Sequence, residues 1–217
     1  MSASFAQRTI GEIAATLPGA TAIFRRHKLD FCCGGGVSLA EAATKRAAPL
    51  PEIEAALAGL APSDAALPQS TAALVDLIEQ RYHAVHRREL PELIALARRV
   101  ERVHAGNPDV PAGLADLLTT MEAELSDHMA KEEHVLFPMM RRGGHPMIAQ
   151  PIAMMRDEND DHGEHLEAMD RLTHGGQPPE GACNTWRALY AGTRKLAEDL
   201  TEHVHIENNI LFPRFVG

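Results

Sequence analysis

His128-Met-Ala-Lys-Glu132-Glu-His-Val-Leu-Phe-Pro138 returns 75 residues later as His203-Val-His-Ile-Glu207-Asn-Asn-Ile-Leu-Phe-Pro213. Each copy sets a histidine four residues before a glutamate and closes on an apolar Leu-Phe-Pro clamp. On a helix, positions i and i+4 share a face about 6 Å apart, so an imidazole and a carboxylate can both reach a metal lying against it. One His-x-x-x-Glu pair is common by chance. Two in a matching frame point to two helices gripping one site from opposite sides.

At 217 residues the chain suits one medium domain plus a small one, with apolar content enough for a real core. Aromatics are scarce while Ala, Leu and Met are plentiful, which favours helices over sheets. The net charge of −9 and the lack of a long basic stretch exclude a nucleic-acid binder. No apolar run approaches the roughly 20 residues of a membrane span, and Met1-Ser-Ala-Ser-Phe-Ala-Gln-Arg8 lacks the apolar core of a secretory signal. Three cysteines, two adjacent, make no disulfide framework. The expected compartment is the cytoplasm, with neither membrane nor nucleic acid as partner. Twelve histidines, nearly all after position 80, stand out in this composition.

The expected class is all-α: an up-down-up-down four-helix bundle preceded by a small helical domain. Residues 1–60 carry the small domain. Thr9 caps its first helix, with Glu12 as capping-box partner; Pro18 and Gly19 close it, and a second helix spans Thr21 to Lys28. Cys32-Cys33-Gly34-Gly35-Gly36 is a turn, Ser38 caps the next helix, and Ile53, Ala56, Leu57 and Leu60 mark another. Residues 61–70 read as a linker. From 71 to 217, turn signals separate four long helices over about 71–105, 113–142, 148–173 and 183–211. Pro91 should kink the first. Short connections make neighbours antiparallel.

In antiparallel neighbours, residues equidistant from the connecting turn share one height. His83 and His128 are equidistant from the first turn. Reflecting the His128/Glu132 pair through the second turn reaches position 159, and reflecting again reaches within a turn or two of His203. One layer thus gathers His83, His128, Glu132, the neighbourhood of 159, His203 and Glu207. His104, about 31 Å along the helix from His83, belongs at the bundle end and is excluded. Position 159 is Asn, leaving two alternatives: Asn159 weakens or opens a coordination position, or His162, one turn further on, substitutes.

Such a layer exceeds the needs of a tetrahedral zinc. Two inward carboxylates fit as bridges between two metals, and imidazole-rich ligation without thiolates points to iron. The expected cofactor is a pair of non-haem irons with room for an oxo or hydroxo bridge and an exchangeable position for nitric oxide or oxygen.

The two repeats, Arg81-Tyr82-His83, Val100-Glu101-Arg102-Val103-His104 and Asp30-Phe31-Cys32-Cys33-Gly34-Gly35 resemble segments of the RIC family, the "repair of iron centres" di-iron proteins with a hemerythrin-like bundle. The resemblance covers essentially the whole length. It implies a non-haem di-iron centre, a response to nitrosative or oxidative stress, recovery of damaged iron–sulfur clusters and nitric oxide binding or reduction. The implied partners are iron–sulfur client proteins and an electron donor. By position the implied ligands are His83, His128, Glu132, His203 and Glu207. The remaining family histidine falls on Asn159, and Glu124 and Glu158 fall on carboxylates lining the approach. A non-enzymatic carrier or sensor of oxygen or nitric oxide, and a labile iron donor, are the competing functions.

Among other residues, His86, His134, His165 and His205 read as solvated or as supporting the ligands, and Tyr82 as packing or a hydrogen-bond partner. Cys32 and Cys33 are a redox pair, a transient iron or nitrosyl site, or two small residues beside a glycine turn. Cys183 is expected to pack, and Met139, Met140, Met147, Met154 and Met155 to fill the core.

Overall fold

Capping chemistry starts the short N-terminal helices. Ser38 Oγ accepts the Glu41 N–H at 3.2 Å while the Glu41 carboxylate accepts the Ser38 N–H at 2.9 Å, a reciprocal box that opens α3 (Leu39–Lys45). The box expected at Thr9 forms by half. Thr9 Oγ1 accepts the Glu12 N–H and opens α1 (Ile10–Thr16), but Glu12 turns its carboxylate to Arg8, one turn away and oppositely charged. Between them, α2 (Ala20–Arg26) is entered through Gly19 at φ 90°, a conformation that favours glycine. α4 (Leu50–Ala58) carries Pro51 in its first turn, where a missing N–H costs nothing. These helices close over a core that includes Ile13, Phe24, Phe31, Leu39, Ile53 and Leu57.

The computed structural model describes residues 4–17, 19–60 and 67–216. Pro18 and residues 61–66 of the expected linker lie outside the described residues. The fold is all-helical; among the described residues the sole β pairing is the isolated bridge Thr9–Ser38. The chain forms two compact units, Met1–Leu74 with Glu202–Gly217, and Val75–Thr201.

Four long helical rods follow, as expected. The first joins α5 (Thr71–Leu77), a π turn, π1 (Ile78–His83), and α6 (Ala84–Val103). The second joins α7 (Leu114–Lys131), π2 (Glu132–Leu136) and α8 (Phe137–Arg141). The third is α9 (Ala149–Leu172), and the fourth joins α10 (Asn184–Ile206) to π3 (Glu207–Leu211). Their ends fall within a few residues of the expected ones. Pro91 sits inside α6, whose range is unbroken. α6 packs on α7 and α7 on α9, burying Leu90, Leu93, Ile94, Leu118, Met121 and Leu125.

The π turns share a local cause in two of three cases. Phe137 donates its N–H to Glu132 O, and Phe212 to Glu207 O, each five residues back. Pro138 and Pro213 follow immediately, with no N–H to give and a ring that crowds the preceding turn. The backbone widens to accommodate them. The Leu-Phe-Pro clamp is therefore also a backbone device.

The methionines divide, contrary to the expected core-filling role. Met140 and Met155 are buried, but Met147 and Met154 are more than half exposed. Met154 and Met155 are successive on a helix, about 100° apart, so only one can face inward.

Candidate metal centre

Burial selects the same residues as the repeat. His83, Glu132, His203 and Glu207 have 0% exposure and His128 has 1%. Within the second unit, His83 Nε2 stands 3.3 Å and His128 Nε2 3.6 Å from Glu132 Oε2. Within the first, His203 Nε2 stands 2.7 Å from Glu207 Oε1. Each histidine–glutamate repeat thus presents an imidazole and a carboxylate side by side, as i, i+4 spacing demands. Both glutamates begin a π turn and His83 ends one.

His83 with Glu132 in the second unit, and His203 with Glu207 in the first, are each a pair whose donors fit a metal ion. Carboxylates so buried are costly without positive charge at hand, and a metal ion supplies it. The donor set, oxygen and imidazole nitrogen without sulfur, suits iron.

Two further carboxylates orient the imidazoles. Glu133 Oε1 lies 2.8 Å from His83 Nδ1, and Arg87 holds both Glu133 oxygens at 2.7 and 2.9 Å. Burial pushes the Glu133 carboxyl up, but Arg87 and His83 outweigh it and hold the group below its ordinary range. An ionised Glu133 can only accept, so His83 Nδ1 donates and Nε2 is left as the ligand nitrogen. Glu158 does the same for His128, at 2.9 Å from Nδ1, and is held by Lys131 Nζ at 2.6 Å. Glu158 was expected near the approach; the structure shows it fixing a ring. Sequence reading missed Glu133, Arg87 and Lys131; the doubled Glu132-Glu133 was the available signal.

Asn159 is buried at 1% exposure on α9. His162 is buried too, its ring edge-on to His128 with centroids 5.0 Å apart. Glu124 is exposed and stands 3.4 Å from half-buried His165.

Of the two alternatives for the remaining histidines, burial removes the solvated one for His86 and His205, whereas His134 is exposed. Burial lowers the His205 pKa to about 4; its neutral ring packs edge-on to Phe31, and Nδ1 accepts from Asn209 Nδ2 at 3.1 Å. Tyr82 is buried beneath the Arg81 guanidinium, 5.1 Å over its ring. His104 caps the end of α6 and bonds Cys183 at 3.3 Å. Cys183 was expected only to pack, but the Trp186 N–H, then His104, lower its pKa to about 7.

In the first unit, the Cys32 and Cys33 sulfurs lie 3.7 Å apart. The Asp30 carboxylate accepts the Cys33 and Gly34 N–H groups, both at 3.0 Å, and draws the Cys32 thiol to 3.4 Å. Asn208 and Asn209, directly after Glu207, donate to the Cys32 carbonyl at 3.3 and 3.2 Å. No helix is long and apolar enough to cross a membrane among the described residues.

Comparison with known proteins places this arrangement. Residues 74–215 match the family described as Hemerythrin HHE cation binding domain, and residues 6–61 the family described as a domain of unknown function, DUF542. The chain is 50% identical over 216 residues to the iron-sulfur cluster repair protein YtfE of Pectobacterium carotovorum, covering 97% of each chain. It is 48% identical over 214 residues to the protein of that name from Cronobacter sakazakii, again covering 97% of each. A probable iron-sulfur cluster repair protein of Haemophilus influenzae is 45% identical over 220 residues, 99% of each chain.

Proposed function

Because the chain belongs to the repair-of-iron-centres family, we propose that it restores damaged iron–sulfur clusters through a non-haem di-iron centre. His83, His128, Glu132, His203 and Glu207 are the ligands in this reading, with Asn159 at the remaining family position. The observation that carries it is the pair of fully buried carboxylates, each with a buried histidine four residues before it.

When bound, the two irons would supply electrons and an exchangeable position for nitric oxide. The protein does the rest. Glu133 with Arg87, and Glu158 with Lys131, hold the His83 and His128 rings so that Nε2 faces inward. Burial of Glu132 and Glu207 keeps water from competing for their oxygens.

A second reading, a labile iron donor, is favoured by Asn159. A neutral amide oxygen holds iron less tightly than an imidazole. The client iron–sulfur protein, nitric oxide and an external electron donor are the partners in the first reading; an apo-cluster acceptor replaces them in the second.

Iron content and activity on a nitric-oxide-damaged cluster protein, compared across wild type, Glu132→Ala and Asn159→His, test both. Repair with nitrous oxide release, abolished in Glu132→Ala, is expected. Repair accompanied by stoichiometric iron loss, and slowed in Asn159→His, favours donation. Less than one iron per chain in protein from iron-rich cells would defeat the two-metal reading.

A further inference from the structure

We infer that Glu124, His162 and His165 form an auxiliary site for a divalent first-row transition cation, separate from the centre proposed above. His162 and His165 are three residues apart on α9, so they share a face. Glu124 comes from α7, which packs against α9. One donor atom from each of the three lies within 4.8 Å of the others.

A surface ion pair between Glu124 and His165, 3.4 Å apart, would be unremarked on its own. His162 changes the reading. At 3% exposure it is a ring held out of water, and it brings a donor nitrogen to the same point as Glu124 and His165. Two imidazoles and one carboxylate hold Fe(II), Co(II) or Zn(II) from one side and leave the other positions to water. Glu124, half exposed, opens that side to solvent.

His162 also lies edge-on to His128. The auxiliary cation would therefore sit one side chain away from a proposed iron ligand, at the solvent end of a line running from Glu124 through His162 to His128. That position suits a loading station, where a cation gives up water before moving inward. His162 then serves this station and does not take the place of Asn159. The ligands of the auxiliary site are independent of the reading above; only its role rests on that reading.

Cobalt(II) titration of the full-length, chelator-stripped protein under anaerobic conditions tests the site, read by bound metal per chain and by visible absorption. His165→Leu and Glu124→Gln, both at accessible positions, should each bind one cobalt fewer than wild type, or bind that equivalent about tenfold or more weakly. Equal stoichiometry and affinity in wild type, His165→Leu and Glu124→Gln would overturn the proposal. Glu132→Gln in parallel reports on the main centre alone. If it keeps the His165-dependent equivalent, the auxiliary site stands whatever becomes of the di-iron reading.

Discussion

Glu133 accepts the Nδ1–H of His83 while Arg87 grips both its oxygens, so a surface cation sets the orientation of a buried ring two side chains away. Glu133→Gln keeps the size and removes the charge. Iron retention in a chelator competition should fall about 10- to 100-fold although every proposed ligand is present. Retention equal to wild type would show that the ring needs no such partner.

Asp199 joins the first and last rods of the second unit. Arg81 bonds both its oxygens, at 2.7 and 3.3 Å, and Lys195 adds a contact at 2.8 Å. Burial pushes the carboxyl up, but the two cations outweigh it and hold it below its ordinary range. Its stabilisation is thus present above the unfolded pKa, about 3.9, and lost as pH falls through the lower folded value. Asp199→Asn should cost about 1–3 kcal/mol in urea unfolding at neutral pH. That gap should close in acid; a gap undiminished near pH 3, about one unit below the unfolded value, contradicts the assignment.

Cys183 should be the readily ionised thiol at the start of α10. With a pKa of about 7, its alkylation, followed by mass spectrometry of its peptide, should reach half its maximal rate near that pH. His104→Ala should move the midpoint up without restoring the ordinary thiol value, because the Trp186 N–H remains. A profile that rises only above pH 8 in wild type, nearer the free-thiol value of about 8.5, would refute it.

Gly11 has no room for a side chain. A Cβ there would lie 2.5 Å from Asn209 Oδ1 and 2.9 Å from the Gly35 carbonyl. Gly11→Ala should destabilise the first unit by about 1–3 kcal/mol and speed labelling of Cys32 and Cys33, whose loop Asn209 holds. Asn209→Ala on the same background should recover part of the loss, since Gly35 still presses from the other side. Strict additivity of the two changes would show that they do not share this contact.

Helix number, order and approximate ends were legible because they follow from apolar period, caps and Pro/Gly breaks. Ser38 and Glu41 close a full box from spacing alone, whereas Glu12 was diverted by Arg8, a competitor that a motif does not weigh. The burial of His83, His128, Glu132, His203 and Glu207 was legible through duplication and through the antiparallel mirror, which is geometry along one coordinate. What pairs across helices was not. Glu133 and Glu158 meet their histidines from positions 50 and 30 residues away, and no local spacing encodes that. Cys183 looked like packing because its partner lies 79 residues upstream.

A π turn amounts to an α-helix carrying one surplus residue. Removing any one residue between Glu132 and Pro138 would take out that surplus residue and leave Pro138 to crowd a tighter turn. It would also swing His128 and Glu132 by about 100° relative to everything that follows. Shortening that segment should therefore cost the protein the proposed irons with all five proposed ligands still in the chain, a loss that random deletion libraries would register at once.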